Sequence, residues 1–178
     1  RFRNLEDPDF FSPSNIADVI LIVQEKKFHV SRQILAHQSS FFDALFYSDF
    51  KESKESEITL EDIVHEVFFC FFFYFFFSNL EILQSNVEFV VKLADRFNMK
   101  RILDRAEKWL NSDDNEDMEI HDKLRLSDQY HLDLLQLNCI SSIDSIDQIV
   151  EVKKSDSYQF LSEEIKDELF DKMVKLWE

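Results

Sequence analysis

No glycine occurs anywhere in the 178 residues. Average usage is about 7%, so the absence is informative. It excludes the phosphate-cradling Walker loop, the dinucleotide fingerprint and the nucleophile elbow, all of which need glycine. Every turn that requires a positive φ must use Asn, Asp or another residue with a β-carbon. Function therefore has to be sought in side-chain surfaces rather than in backbone cradles.

The densest pattern runs from Asp18 to Leu60. Val19-Ile20-Leu21-Ile22-Val23 is a β-branched apolar run suited to a buried strand. Gln24-Glu25-Lys26-Lys27 reads as a four-residue polar hairpin loop, and Lys27-Phe28-His29-Val30 as the returning strand. Ser31 is placed to cap a helix RQILAH, and Ser39 or Ser40 a helix FFDALFY. Ile34, Leu35, Phe41, Phe42, Leu45 and Phe46 have helical spacing. A charged loop and a further strand, Ile58-Thr59-Leu60, follow.

This order of elements, with these residues, resembles the BTB (POZ) domain. The residues that carry the resemblance are Asp18-Val19, Phe28-His29, Arg32, Ile34-Leu35-Ala36, Ser39, Phe42 and Leu45-Phe46. It continues through Phe50-Lys51-Glu52-Ser53, Ile58-Thr59-Leu60, Val67-Phe68 and Leu93-Ala94-Asp95-Arg96-Phe97. It is most similar to the BTB proteins, with or without a MATH domain, that are abundant in nematodes. Residues 123–135, KLRLSDQYHLDLL, also look like the helices that follow the core in those proteins. The resemblance implies an α+β chain with the BTB/POZ fold, a small β-sheet flanked by a cluster of α-helices. An N-terminal arm at 1–13, the domain at 14–111 and a C-terminal α-helical extension at 118–178 are expected.

The same resemblance implies where contacts fall. Asp18 and Arg32 match an acidic-basic pair of the dimer groove; an intrachain salt bridge that only orders the fold is the alternative. Ile34 matches an apolar position that packs across the dimer, and taken alone is a core helix residue. Phe50-Lys51-Glu52 stands where cullin-binding relatives carry a hydrophobic-x-Glu motif. There Phe50 would fill a pocket on the cullin, and Glu52 would hold the loop or touch the partner. Otherwise Phe50 folds back on its own helix. The implied function is a dimeric substrate adaptor of a cullin-RING ubiquitin ligase. The alternative is a self-assembly domain with no ligase role. The expected partners are a second copy, a cullin scaffold and a substrate protein that the sequence does not name.

Charge narrows the classes further. The net charge is −16. Residues 1–110 carry 13 basic and 18 acidic groups, and residues 111–178 carry 7 and 18. Acid is thus concentrated in the last third, which separates two segments of different character. Such a chain repels phosphate backbones, so no nucleic-acid partner is expected. Cys70 and Cys139 lie far apart with no CxxC pattern and read as free buried thiols of a reducing compartment. The start, RFRNLEDPDFF, lacks an apolar signal-peptide core. A cytoplasmic or nuclear location is expected.

Catalysis finds no motif. His29, His37, His65, His121 and His131 are scattered, without HExxH or His/Cys ligand spacing. Cys70 with a distant His could be imagined as a nucleophile pair, but it sits among Phe rings that disfavour a thiolate. No enzyme, metal or cofactor is expected.

Three later stretches complete the reading. The run VHEVFFCFFFYFFF, residues 64–77, is apolar on every side after Glu66. About a dozen apolar residues fall short of the ~20 of a membrane span, so a buried central helix is expected and no membrane. Surplus rings there are either a sticky patch for a partner or drift toward Phe. Glu61-Asp62 before it can favour a helix start. Asn86 can cap VEFVVKLADRF, Asn98 ends it, and MKRILDRAEKWL turns Met99, Ile102, Leu103, Ala106 and Leu110 inward. The polar run 111–117 reads as a linker. The helix pair at 92–110 then recurs at 123–143. SIDQIVEV is expected as a short helix, SDSYQF as a loop, and Ser162 as the cap of EEIKDELFDKMVKLW.

Overall fold

A computed structural model of the chain describes residues 15–49, 54–63, 68, 82–112, 115 and 118–177. Among these lie three strands and eight α-helices, so the chain is α+β with helices dominant. It divides into two compact units. One comprises Arg1–Leu80 with Arg96–Lys100, the other Glu81–Asp95 with Arg101–Glu178.

The first unit is built on a three-stranded sheet of order β2-β1-β3. β1 (Val19–Val23) alternates buried and half-buried residues, as a strand with one core face should. β2 (Lys26–Val30) pairs with it antiparallel, Val19 opposite Val30 and Val23 opposite Lys26. The hairpin loop is shorter than the four polar residues suggest. Only Gln24 and Glu25 turn, with φ of 45° and 66°, while Lys26 and Lys27 belong to the strand. A two-residue turn with both φ values positive has the twist that matches its strands. Without glycine, Gln and Glu adopt it against their own β-carbons.

α1 (Arg32–Gln38) and α2 (Ser40–Tyr47) form the crossover to β3 (Glu57–Thr59), which runs parallel to β1 with Leu21 beside Ile58. Ser31 occupies the N-cap position of α1 but makes no side-chain cap. Ser39 does cap α2: its Oγ accepts from the Phe42 N–H at 3.1 Å and donates to the Phe97 carbonyl at 2.5 Å. Under these caps sits an aromatic core. Phe42 stacks on Phe97 with centroids 5.0 Å apart, and Phe68 meets Phe28 edge-on at 5.1 Å. Phe68 is fully buried. The rest of the phenylalanine run, including Cys70, lies outside the described residues. Arg96 donates to the carbonyls of Glu61 (2.5 Å) and Asp62 (3.0 Å), fixing the segment that leaves the sheet. The helix start expected after that acidic pair also lies outside the described residues.

The second unit holds all of α3 (Val87–Arg96) but its last residue, and α3 buries Val87, Val90, Val91, Leu93 and Ala94. The Asn86 carboxamide oxygen accepts from the Leu83 N–H at 2.9 Å, tightening the turn before α3. α4 (Lys100–Leu110) buries Ile102, Ala106 and Leu110, and Leu103 is half-buried. α5 (Ile120–Gln129) and α6 (Asp133–Ser142) form the second hairpin. The recurrence is visible in the turns. Asn98 (φ 47°) follows the buried Phe97, and His131 (φ 53°) follows the buried Tyr130.

α7 (Ile146–Lys154) starts on a capping box of Ser145 and Gln148. The expected loop after it is a 3₁₀ helix, Asp156–Phe160. Ser157 anchors that turn by donating to the Asp122 carboxylate at 2.7 Å, an acceptor on another helix that a local reading does not find. α8 (Glu163–Trp177) closes the chain and buries Ile165 and Leu169. Ser162 Oγ accepts from the Ile165 N–H at 3.4 Å, as expected of its cap. The polar run at 111–117 is not merely solvated. Asn115 is 3% exposed and donates to the carbonyls of Trp109 and Ser112 at the end of α4.

Candidate functional site

The start of the first unit brings together three of the residues singled out in the sequence. Asp18 immediately precedes β1 and Arg32 opens α1. The Asp18 carboxylate accepts from the backbone N–H of Arg32 at 2.7 Å. This is a helix cap delivered from the neighbouring strand, and it does the work that Ser31 leaves undone. The Arg32 guanidinium runs the other way. It donates to the Glu55 carbonyl and lies over the Phe46 ring at 5.4 Å. Arg32 thus ties α1 to α2 and to the segment before β3. Ile34, 38% exposed, lies beside the buried Leu35 on α1. Of the candidates, these three are placed on one strand-helix corner. Phe50 and Glu52 lie outside the described residues, which stop at Asp49, two past the end of α2, and resume at Lys54.

The second unit carries polar contacts that sequence reasoning missed. Glu107 on α4 accepts from the N–H groups of Leu134 (2.9 Å) and Leu135 (3.1 Å), capping α6 from outside. Asp128 on α5 accepts from the Ser162 N–H and hydroxyl at 2.5 and 2.8 Å, pinning the start of α8. Arg125 and Glu88 pair at 3.0 Å. Spacing along the chain holds no signal for such contacts, because each joins residues more than 25 positions apart. The Ser145–Gln148 capping box is the exception, legible as Ser-x-x-Gln.

Among the described residues no three His, Cys, Asp or Glu side chains gather where they could hold a metal ion. Burial pushes the Cys139 thiol up to about 11, with Lys123 opposing weakly, the reverse of an activated cysteine. Burial likewise raises Tyr130, helped by Glu88 and Asp95 and opposed by Arg125. No described helix is long and apolar enough to cross a membrane.

Comparison with known proteins agrees with this architecture. BTB and MATH domain-containing protein 36 of Caenorhabditis elegans is 32% identical over 164 residues, 92% of this chain and 51% of that protein. BTB and MATH domain-containing protein 38 of the same organism is 30% identical over 98% of this chain and 45% of its own length. Kelch-like protein 40 of Xenopus laevis is 36% identical over 53% of this chain and 15% of its own length. The chain therefore spans about half the length of the two nematode relatives. The family profile described as BTB/POZ domain matches residues 9–114. With its small mixed sheet, the two-helix crossover and that match over more than half its length, the chain belongs to the BTB/POZ domain family.

Proposed function

We propose that this chain is a dimeric protein-interaction module that serves as substrate adaptor of a cullin-RING ubiquitin ligase in the cytoplasm or nucleus. In this reading the BTB domain occupies 14–111 and a helical extension 118–178. The observation that carries it is the motif Phe50-Lys51-Glu52, three residues past the end of α2 in a chain of this family. Phe50 is the apolar anchor for the cullin and Glu52 holds the loop or touches the partner. The helices after the core extend the cullin-facing surface.

A second reading, self-assembly without a ligase, draws on Ile34. The residue is 38% exposed on a helix that Asp18 and Arg32 hold in place, which suits a contact with a second copy. Calorimetric titration with a cullin N-terminal domain separates the two. Wild type is expected to bind, and Phe50→Ala/Glu52→Ala of equal melting temperature to lose ~2 kcal/mol or more, as for a central aromatic anchor. A well-folded wild type that does not bind would sink the adaptor reading. Sedimentation of Ile34→Asp as monomer against wild type as dimer supports self-assembly through α1.

A further inference from the structure

α8 carries two apolar rows, and its own unit uses only one. Ile165 and Leu169 are buried, and Met173 and Leu176 are half-buried. The second row is Phe170, Val174 and Trp177, exposed by 59%, 42% and 81%. Their spacing of i, i+4 and i+7 makes them neighbours along one ridge. Single exposed apolar residues are ordinary, but three large ones aligned on one face mark a contact surface.

The border of the ridge is acidic. Asp167 stands three residues before Phe170 and Asp171 three before Val174, so each carboxylate flanks a ridge residue. Both are exposed. Neither makes an ion pair among the described residues. The lysines of the helix do not neutralise them. Lys166 is held by Glu163 at 2.9 Å and lies over the Tyr158 ring at 5.5 Å. Lys172 reaches the Ser141 carbonyl at 3.4 Å. Lys175, four residues past Asp171, is exposed and makes no pair with it.

We propose that this face of α8 docks a cationic amphipathic helix of a partner protein. The partner lays its apolar row on Phe170, Val174 and Trp177 and sets Lys or Arg against Asp167 and Asp171, a helix-on-ridge mode with charge fixing the register. Charge selects this occupant over a second copy. A copy brings the same Asp167 and Asp171 to the ridge, so two such faces laid together set carboxylate against carboxylate. The surface contains neither Phe50 nor Glu52, and its test is independent of theirs.

The probe is a synthetic amphipathic helical peptide of leucine and lysine, titrated into the full chain, with a leucine-glutamate peptide of the same pattern as control. Trp177 reports binding by a blue shift of its emission, and Trp109→Phe removes the second tryptophan. The lysine peptide is expected to bind saturably and the glutamate peptide not at all. Phe170→Ser/Val174→Ser leaves every charge in place and is expected to weaken binding at least ~10-fold. Asp167→Lys/Asp171→Lys is expected to exchange the preference between the peptides. These positions are exposed, so melting temperatures stay level and a loss is read as a loss of contact. No saturable binding, equal binding of both peptides, or undiminished binding by Phe170→Ser/Val174→Ser would overturn the proposal. Self-association of the wild type that Phe170→Ser abolishes would overturn it too, by giving the ridge to a second copy.

Discussion

Removing the Glu107 carboxylate should destabilise the second unit by a predictable amount. α6 begins at Asp133 after Leu132, whose side chain has no acceptor, so its first amides depend on help from elsewhere. Glu107 Oε1 supplies it, accepting from Leu134 at 2.9 Å and Leu135 at 3.1 Å. Loss of an N-cap acceptor costs about 0.5–2 kcal/mol. The charge at the positive end of the helix adds about 0.3–1 kcal/mol. Solvent at this half-buried site screens part of that. Glu107→Ala is therefore expected to lose about 2 kcal/mol. Glu107→Gln keeps a neutral acceptor and should lose about half as much. The assay is urea unfolding followed by tryptophan fluorescence. Both tryptophans, Trp109 and Trp177, belong to the second unit, so the signal reports the element being perturbed. At ~2–4 °C per kcal/mol for a chain of this size, thermal melts should order wild type above Gln above Ala. A Glu107→Ala midpoint within ~0.3 kcal/mol of wild type, with an unchanged slope, would refute the cap.

Two further outcomes follow from the same structure. Cys139 has its thiol raised from 9.0 to about 11 by burial, so the folded state holds its proton more tightly than the unfolded chain. Stability present below pH 9 is then lost as the pH rises through about 11, at up to about 1.4 kcal/mol per pH unit; urea midpoints between pH 8 and 11 should show a slope that Cys139→Ala flattens, and an equal slope in both would remove Cys139 as its source. His131 turns at φ 53° with a β-carbon in the way, so His131→Gly should relieve about 1 kcal/mol in the native state, less the added freedom of the unfolded chain. A net gain in the urea midpoint is expected, and a loss would show that the imidazole does more than turn the chain.

The fold was legible where local chemistry decides it. The strand VILIV, the helix FFDALFY with a serine cap at Ser39 or Ser40 (Ser39 in the structure) and the paired hairpins all follow from burial period and capping within a few residues. The boundary errors have separate physical causes. Gln24 and Glu25 do not advertise positive φ, so the hairpin read two residues too long, and Ser31 looked like the cap of α1 because its acceptor lies next to the helix. The true acceptor, Asp18, is fourteen residues back along the chain. The same separation hid Glu107 under α6, Asp128 under α8 and the anchor of the 3₁₀ turn. A side chain that serves a distant amide has no sequence period, and only the fold brings the two together.

A chain without glycine closes its turns by the packing around them. Among the described residues, positive φ falls on Gln24, Glu25, Asp62, Asn98 and His131. Only two of these are the Asn or Asp that such positions favour, and each of the others stores about 1 kcal/mol or more of backbone strain. That strain is offset where the turn sits between firmly packed elements. Gln24 and Glu25 join two strands whose Val23 and Phe28 are fully buried. Asn98 lies between fully buried Phe97 and nearly buried Met99, and its carboxamide donates to Ser40 at 2.6 Å. Asp62 is held by its own carbonyl, which accepts from Arg96. His131 separates buried Tyr130 and Leu132. At Asn98 and His131, burial on both sides of the strained residue lets the core, rather than the residue type, set the backbone. Cavities made beside these turns, as by Met99→Ala or Leu132→Ala, should therefore fall toward the low end of the ~2–5 kcal/mol of an ordinary large-to-small core change, because relaxing the turn that the core was holding returns part of its strain.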